Sequence, residues 1–211
     1  VLEASTTVLK SNHRARLVKV ASVTREAPVA APAAGPASAP AAGDSGIANF
    51  NAAVVFVIDA TKSMQPYIDG TRKAREEVLA QVDAAKRGPR SRFGLVAFQD
   101  DTKKTKGVEY LSKVFADPSA TTTREQFMAA MGQVKATPSS TRAYAEDAYA
   151  ALDDALRKIN WQNFGGRYIV FVSDASAREG SSPLASTRLA TREMHAHAQE
   201  RSVAIYALHL K

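Results

Sequence analysis

The sequence contains no cysteine. Disulfide bridges and thiolate metal sites are thereby excluded, and the redox compartment is left undecided. No apolar run approaches the roughly 20 residues that span a bilayer, and no signal peptide is visible. Aromatic residues make up only 7% of the chain, and no dense arginine run with interleaved aromatics occurs, so nucleic acid is not an expected partner. Gly-x-Gly-x-x-Gly, the Gly-Lys-Ser/Thr phosphate loop, the protein-kinase catalytic motifs and Gly-x-Ser-x-Gly are all missing. Nothing offers a general base held against a polarised water, so this stretch is not expected to be an enzyme. The histidines are His13, His195, His197 and His209. His195 and His197 stand two apart on a predicted helix and share no face, which argues against zinc.

What the chain does have is length for one ordinary core plus an appendage, with 211 residues. Because it opens on Val1, we expect a piece of a longer protein. The net charge of +7 permits nucleic-acid or membrane contact but is equally explained by solubility. Residues 1–26 read as the tail of an upstream module, with a strand expected near Leu17–Ala21 and Lys10, Arg14, Arg16, Lys19 and Arg25 on a solvated face. Residues 27–43 hold only Ala, Pro, Gly, Val and Ser, with Pro28, Pro32, Pro36 and Pro40 evenly spaced. Such prolines defeat a helix and favour an extended, semi-rigid tether. Residues 44–211 form the domain proper.

The stretch Val54-Val-Phe-Val-Ile-Asp-Ala-Thr-Lys-Ser-Met64 organises that domain. Val54 to Ile58 are β-branched or aromatic and read as a buried central strand. Asp59, Thr61 and Ser63 follow as alternate residues where the strand ends. One carboxylate with two hydroxyls is a hard-cation donor set, suited to Mg²⁺ or Ca²⁺ rather than Zn²⁺. Parallel α/β folds bind ligands outside the carboxyl ends of their strands. Asp59 equally suits the capping of a following helix.

Ser63 is expected to cap a helix with Pro66 in its first turn, carrying Met64, Ile68, Val78 and Val82 toward a sheet with Ala74 and Ala85 between them. Strands are predicted at Arg92–Phe98, at Val108–Phe115 on an edge, at Arg167–Ser173 and at Val203–Leu208. A short helix presents Phe127, Met131 and Val134. A longer one carries Tyr144, Ala148, Leu152, Ala155 and Ile159 on one stripe, and a last one covers Ser186–Gln199. Trp161 and Phe164 read as packing, with an exposed partner anchor as the alternative. Strands alternating with helices predict a Rossmann-like, doubly wound α/β fold with a mostly parallel sheet and helices on both faces.

Asp59-x-Thr61-x-Ser63 resembles the metal-ion-dependent adhesion site of von Willebrand factor A domains, whose pattern is Asp-x-Ser-x-Ser. With Met64-Gln65-Pro66-Tyr67-Ile68 behind it, the wording resembles the A domains attached to bacterial serine/threonine kinases of type VI secretion systems. The resemblance covers about residues 50 to 210 and implies the same fold with one antiparallel edge strand. It implies a site drawn from three loops: Asp59, Thr61 and Ser63, then a threonine placed at Thr141 with Ser140 adjacent, then Asp174 after its strand. Asp100 and Asp101 stand at the rim, although they, with Glu146 and Asp147, also read as solvated or helix-capping residues.

The implied cofactor is a divalent cation, Mg²⁺ first and Ca²⁺ or Mn²⁺ next. The implied partner is a protein offering an Asp or Glu carboxylate. A metal-independent dimerisation or scaffolding domain is the alternative, which includes a homodimer. The kinase-type resemblance implies the periplasmic part of an inner-membrane protein, with the cytoplasm as the other placement; no membrane contact is required of these residues. Lys62 inside the first loop, Ala175 after Asp174, and Thr141 without a preceding glycine depart from the family pattern.

Overall fold

A computed structural model describes residues 2–8, 14–20, 51–73, 90–121, 123–140 and 143–210. Two short strands, β1 (Leu2–Val8) and β2 (Arg14–Val20), pair as an antiparallel hairpin. The remaining strands are β3 (Asn51–Asp59), β4 (Arg90–Phe98), β5 (Ser112–Ala116), β6 (Gly166–Ser173) and β7 (Ala204–His209). A 3₁₀ turn at Lys62–Met64 leads into α1 (Gln65–Lys73), and α2 (Arg124–Gln133), α3 (Ala148–Lys158) and α4 (Thr191–Glu200) follow. The expected positions Ala74, Val78, Val82 and Ala85 lie outside the described residues.

The seven strands make one sheet in the order β1-β2-β7-β6-β3-β4-β5. β3 is central and pairs in parallel with both β4 and β6, and β6 pairs in parallel with β7. β5 is the antiparallel edge strand on β4. The expected Rossmann-like α/β architecture is therefore present. The hairpin adds a second antiparallel edge, because β2 runs against β7 from Arg16 opposite His209 to Val20 opposite Ile205.

The apolar run of β3 is buried on both faces, as its two parallel neighbours require. Ala53, Val55 and Val57 pack toward Ala151, Leu152, Leu156 and Met194 of α3 and α4. The alternate residues Phe56 and Ile58 face Met64, Ile68, Ala130 and Val134 on the other side. Phe56, Phe93 and Phe127 form a ring cluster on that second face, with centroids 5.6–6.4 Å apart. α2 opens with a reciprocal cap in which Thr123 accepts from the Gln126 N–H and Gln126 accepts from the Thr123 N–H. Gly94 has no room for a side chain, since an added Cβ would stand 2.8 Å from Pro118 and 3.1 Å from the Ala116 carbonyl oxygen. That close approach lets the chain return as β5.

Trp161 and Phe164 are buried, and the Trp161 indole donates to the Ala155 carbonyl at 3.2 Å. They are packing residues, and the partner-anchor alternative does not hold for them. The predicted apolar stripe is right for Ala148, Leu152, Ala155 and Ile159 but wrong for Tyr144, which lies before α3 and is 75% exposed. Ser63 is also not a cap, since it lies inside the 3₁₀ turn and its hydroxyl donates to Asp174. Among the described residues no helix is long and apolar enough to cross a membrane.

The hairpin covers an edge of β7 that would otherwise present unpaired backbone groups. A chain of residues 44–211 alone is predicted to self-associate more strongly than the full chain, as measured by sedimentation velocity. Equal behaviour of the two would contradict an edge-covering role.

Candidate functional site

β3 and β6 are parallel neighbours, so Asp59 and Asp174 emerge at the same end of the sheet. Asp59 is fully buried at the end of β3. One carboxylate oxygen accepts the Thr61 backbone N–H at 2.8 Å, and the other accepts the Ser173 hydroxyl at 2.6 Å. Ser173 in turn accepts the Ala175 N–H at 3.0 Å, which fixes the start of the loop after β6. A chain of hydroxyls runs outward from there. The Thr61 and Ser63 hydroxyl oxygens lie 3.3 Å apart, and Ser63 donates to Asp174 at 3.1 Å. Thr61 is buried, while Ser63 is exposed and Asp174 partly so. The structure thus brings Asp59, Thr61, Ser63 and Asp174 together and adds Ser173. Thr141 lies outside the described residues. Ser140 is exposed, and Lys62 is exposed beside Ser63.

No ion pair compensates Asp59 among the described residues. Desolvation pushes its carboxyl above the ordinary value; hydrogen bonds from Ser173 and Thr61 oppose the rise, and the Asp174 carboxylate adds to it. The all-oxygen donors Asp59, Thr61, Ser63 and Asp174 fit a hard divalent cation in chemical type. The described residues contain no group of three or more His, Cys, Asp or Glu placed to hold a metal ion. A cation here would depend on neutral hydroxyls for much of its coordination.

Asp100 does not behave as a solvated rim residue, and neither do Glu146 and Asp147. All three are buried around Arg178, itself buried in the loop after β6. The Arg178 guanidinium donates to Asp100 at 2.9 Å, to Asp147 at 3.0 Å, and to the carbonyl oxygens of Ala145 at 3.0 Å and Leu184 at 3.2 Å. Glu146 stands 3.9 Å from it. Asp147 precedes α3 but makes no side-chain cap; its second oxygen accepts the Ser186 N–H. Asp101 remains near the surface, where it accepts the Lys103 N–H and pairs with Lys104.

One guanidinium cannot neutralise every carboxylate around it, and the two aspartates respond in opposite directions. Burial alone would push Asp100 up, but hydrogen bonds from Thr105 and Arg178 outweigh it and hold the carboxyl below its ordinary value. Burial pushes Asp147 up, and the Ser186 backbone N–H and the Arg178 charge offset only part of the rise. Arg178 therefore ties together the ends of β4 and β6, the segment before α3 and the 178–186 loop.

Further contacts lock these loops. The Ala60 N–H donates to the Phe98 carbonyl at 2.7 Å, and the Thr137 N–H to the Ala60 carbonyl at 2.8 Å. Buried Thr137 donates to the Gly107 carbonyl at 3.3 Å and accepts the Ser139 N–H. Tyr144 donates to the Asp174 carbonyl at 3.2 Å, which places its exposed ring beside the Ser63–Asp174 contact. Sequence reading missed Ser173, Arg178 and this position of Tyr144. The signal for Ser173 was available, since it is the polar residue that closes the apolar run Ile169–Val172. Arg178 offered none, because its partners lie 78 and 31 residues away.

The von Willebrand factor type A domain family matches residues 54–177, more than half of the chain. No curated protein matches the sequence. Two crystal forms of proximal thread matrix protein 1 from the mussel byssus are similar in structure. They match at 14% identity with a TM-score of 0.49 and at 13% identity with a TM-score of 0.50. In each case 76% of this chain and 36% of the other is covered, so this chain spans about a third of the length of those proteins. At such identity the likeness concerns the fold alone.

Two outcomes follow from the buried charges. Arg178→Met leaves buried carboxylates without their countercharge and should cost about 3–5 kcal/mol in urea unfolding; a loss below about 1 kcal/mol would show the cluster to be hydrated. Asp59, with its raised value, favours the folded state below the ordinary carboxyl range, and that contribution is lost as pH rises through the raised value. Asp59→Asn, in chelator, should therefore gain thermal stability over the natural chain at pH 7, and the gain should shrink toward pH 4. A gain that grows on acidification would contradict the desolvation.

Proposed function

The chain belongs to the von Willebrand factor type A domain family, and from that premise we propose that it is a noncatalytic protein-interaction module. The observation that carries this reading is the carboxyl end of the sheet. Loops after β3, β4 and β6 and the segment before α3 are held there in fixed positions by buried polar contacts. A surface fixed in advance loses little conformational freedom on binding. The serine hydroxyls at this end donate to carboxylates, Ser63 to Asp174 and Ser173 to Asp59, contacts that brace the loops for recognition.

Two modes of recognition compete, and the metal-independent mode stands first. It is supported by the lack of a three-residue metal-ligating group among the described residues and by the protein hydrogen bonds already made to both Asp59 oxygens. The second mode is recognition through a divalent cation. It is supported by the convergence of Asp59, Thr61, Ser63 and Asp174 and by the uncompensated charge of Asp59. In that mode these residues would hold the ion, and the ion would supply an electrophilic position for a partner carboxylate. The finer assignment, to a module carried by a secretion-linked serine/threonine kinase, rests on sequence resemblance alone.

Panning a random peptide library against the immobilised full chain tests the proposal. Binders that survive EDTA are expected. Recovery of no binder would contradict an interaction module. Binders lost in EDTA and restored by Mg²⁺, but not restored to Asp59→Ala, would replace the first mode with the second.

A further inference from the structure

The surface around the buried carboxylates carries a feature that the family assignment does not use. Tyr144 is the one exposed large hydrophobic residue among the described residues. Its hydroxyl is held by the Asp174 carbonyl, so the ring is presented rather than swinging freely. Large aromatics held in this way lose little entropy on contact and are common anchors of binding energy.

Exposed cations stand at the same end of the sheet. Lys62 precedes Ser63, which bonds to Asp174. Lys103 and Lys106 are exposed in the loop after β4. That loop is fastened to the 137–139 segment through Thr137 and Gly107. None of these three lysines makes an ion pair among the described residues, whereas Lys104 is engaged by Asp101 and by the Ala185 carbonyl. Arg188, exposed in the loop after β6, adds positive charge at the same end. The opposing acids are less available. Asp59, Asp100, Glu146 and Asp147 are buried, Asp174 is engaged by Ser63, and Glu179 is held by Tyr149 and Thr191. Glu109 alone is an exposed acid of the β4–β5 loop. The accessible balance is positive.

We propose that Tyr144, Lys62, Lys103 and Lys106 form a docking rim for an acidic protein segment bearing an apolar side chain. Tyr144 packs against the apolar side chain, and the lysines pair with the carboxylates around it. This inference rests on the protein-interaction reading and names the partner's chemistry. The rim needs no cation. Paired rim charges would steer the encounter and weaken with salt.

The test uses peptides recovered on the full chain in EDTA, with affinities read by fluorescence anisotropy. Enriched sequences should hold Asp or Glu beside an aromatic or aliphatic residue. Tyr144→Ala should weaken them at least about tenfold, roughly the 1.4 kcal/mol of a modest anchor. Tyr144→Phe, which keeps the ring but loses its tether to the Asp174 carbonyl, should fall between the natural chain and Tyr144→Ala. The combined Lys62→Glu, Lys103→Glu and Lys106→Glu variant should lose about tenfold or more at low salt, and less at high salt. Circular dichroism confirms that each variant is folded. Peptides that bind the natural chain but bind these variants equally well would overturn the rim and leave the interaction module standing. Enrichment of neutral or basic peptides would also overturn it. Recovery of no peptide would overturn both.

Discussion

Burying carboxylates at the end of a parallel sheet is the constraint on which this molecule depends. Asp59 and Asp100 lie where strands stop and polar loops begin, Asp147 lies just before α3, and all three are out of water. A buried charge is tolerated only when hydrogen bonds or a countercharge replace its hydration. Asp100 and Asp147 obtain this from Arg178, and Asp59 obtains it from Thr61 and Ser173 without a countercharge. These contacts dictate the loop paths. Arg178 cannot reach its partners unless the loop after β6 folds back over the segment before α3, and the parallel bridge between Glu146 and Ala177 marks that return.

The sheet was legible in the sequence because its strands are short apolar runs with polar ends. Val54–Ile58 and Tyr168–Val172 could be read as buried strands without any knowledge of their neighbours. Their register as parallel partners then set Asp59 and Asp174 side by side. The 30 residues between β2 and β3 hid the way in which the first two strands join the sheet at β7. Helical periodicity misled at one point. Tyr144 continues the stripe of Ala148 and Leu152, but the Glu146 N–H is taken by the Ser176 carbonyl and the backbone is diverted before α3 begins. Tertiary pairing overrode the local pattern, and an aromatic read as core became the one exposed large hydrophobic among the described residues.

The charges divide along the same line. A residue type gives the sign of a charge but not its partner. Asp100, Glu146 and Asp147 looked like solvent-facing acids because Arg178 is remote in sequence from each. Once they are paired beneath the surface, the outer rim is left to lysines and Tyr144. An acidic floor under a basic, aromatic rim suits recognition more than turnover, because the floor fixes the loops and the rim meets the partner. The hydroxyl chain from Thr61 through Ser63 to Asp174 joins the two layers.

The most direct measurement is hydrogen–deuterium exchange on the full chain, in EDTA, with and without a peptide selected from the random library. New protection is predicted at residues 60–64, 102–107, 137–140, 143–147 and 174–178, at the carboxyl end of the sheet. Protection confined to α4, to the β7 edge or to the opposite end of the sheet would contradict it and place recognition elsewhere on the fold.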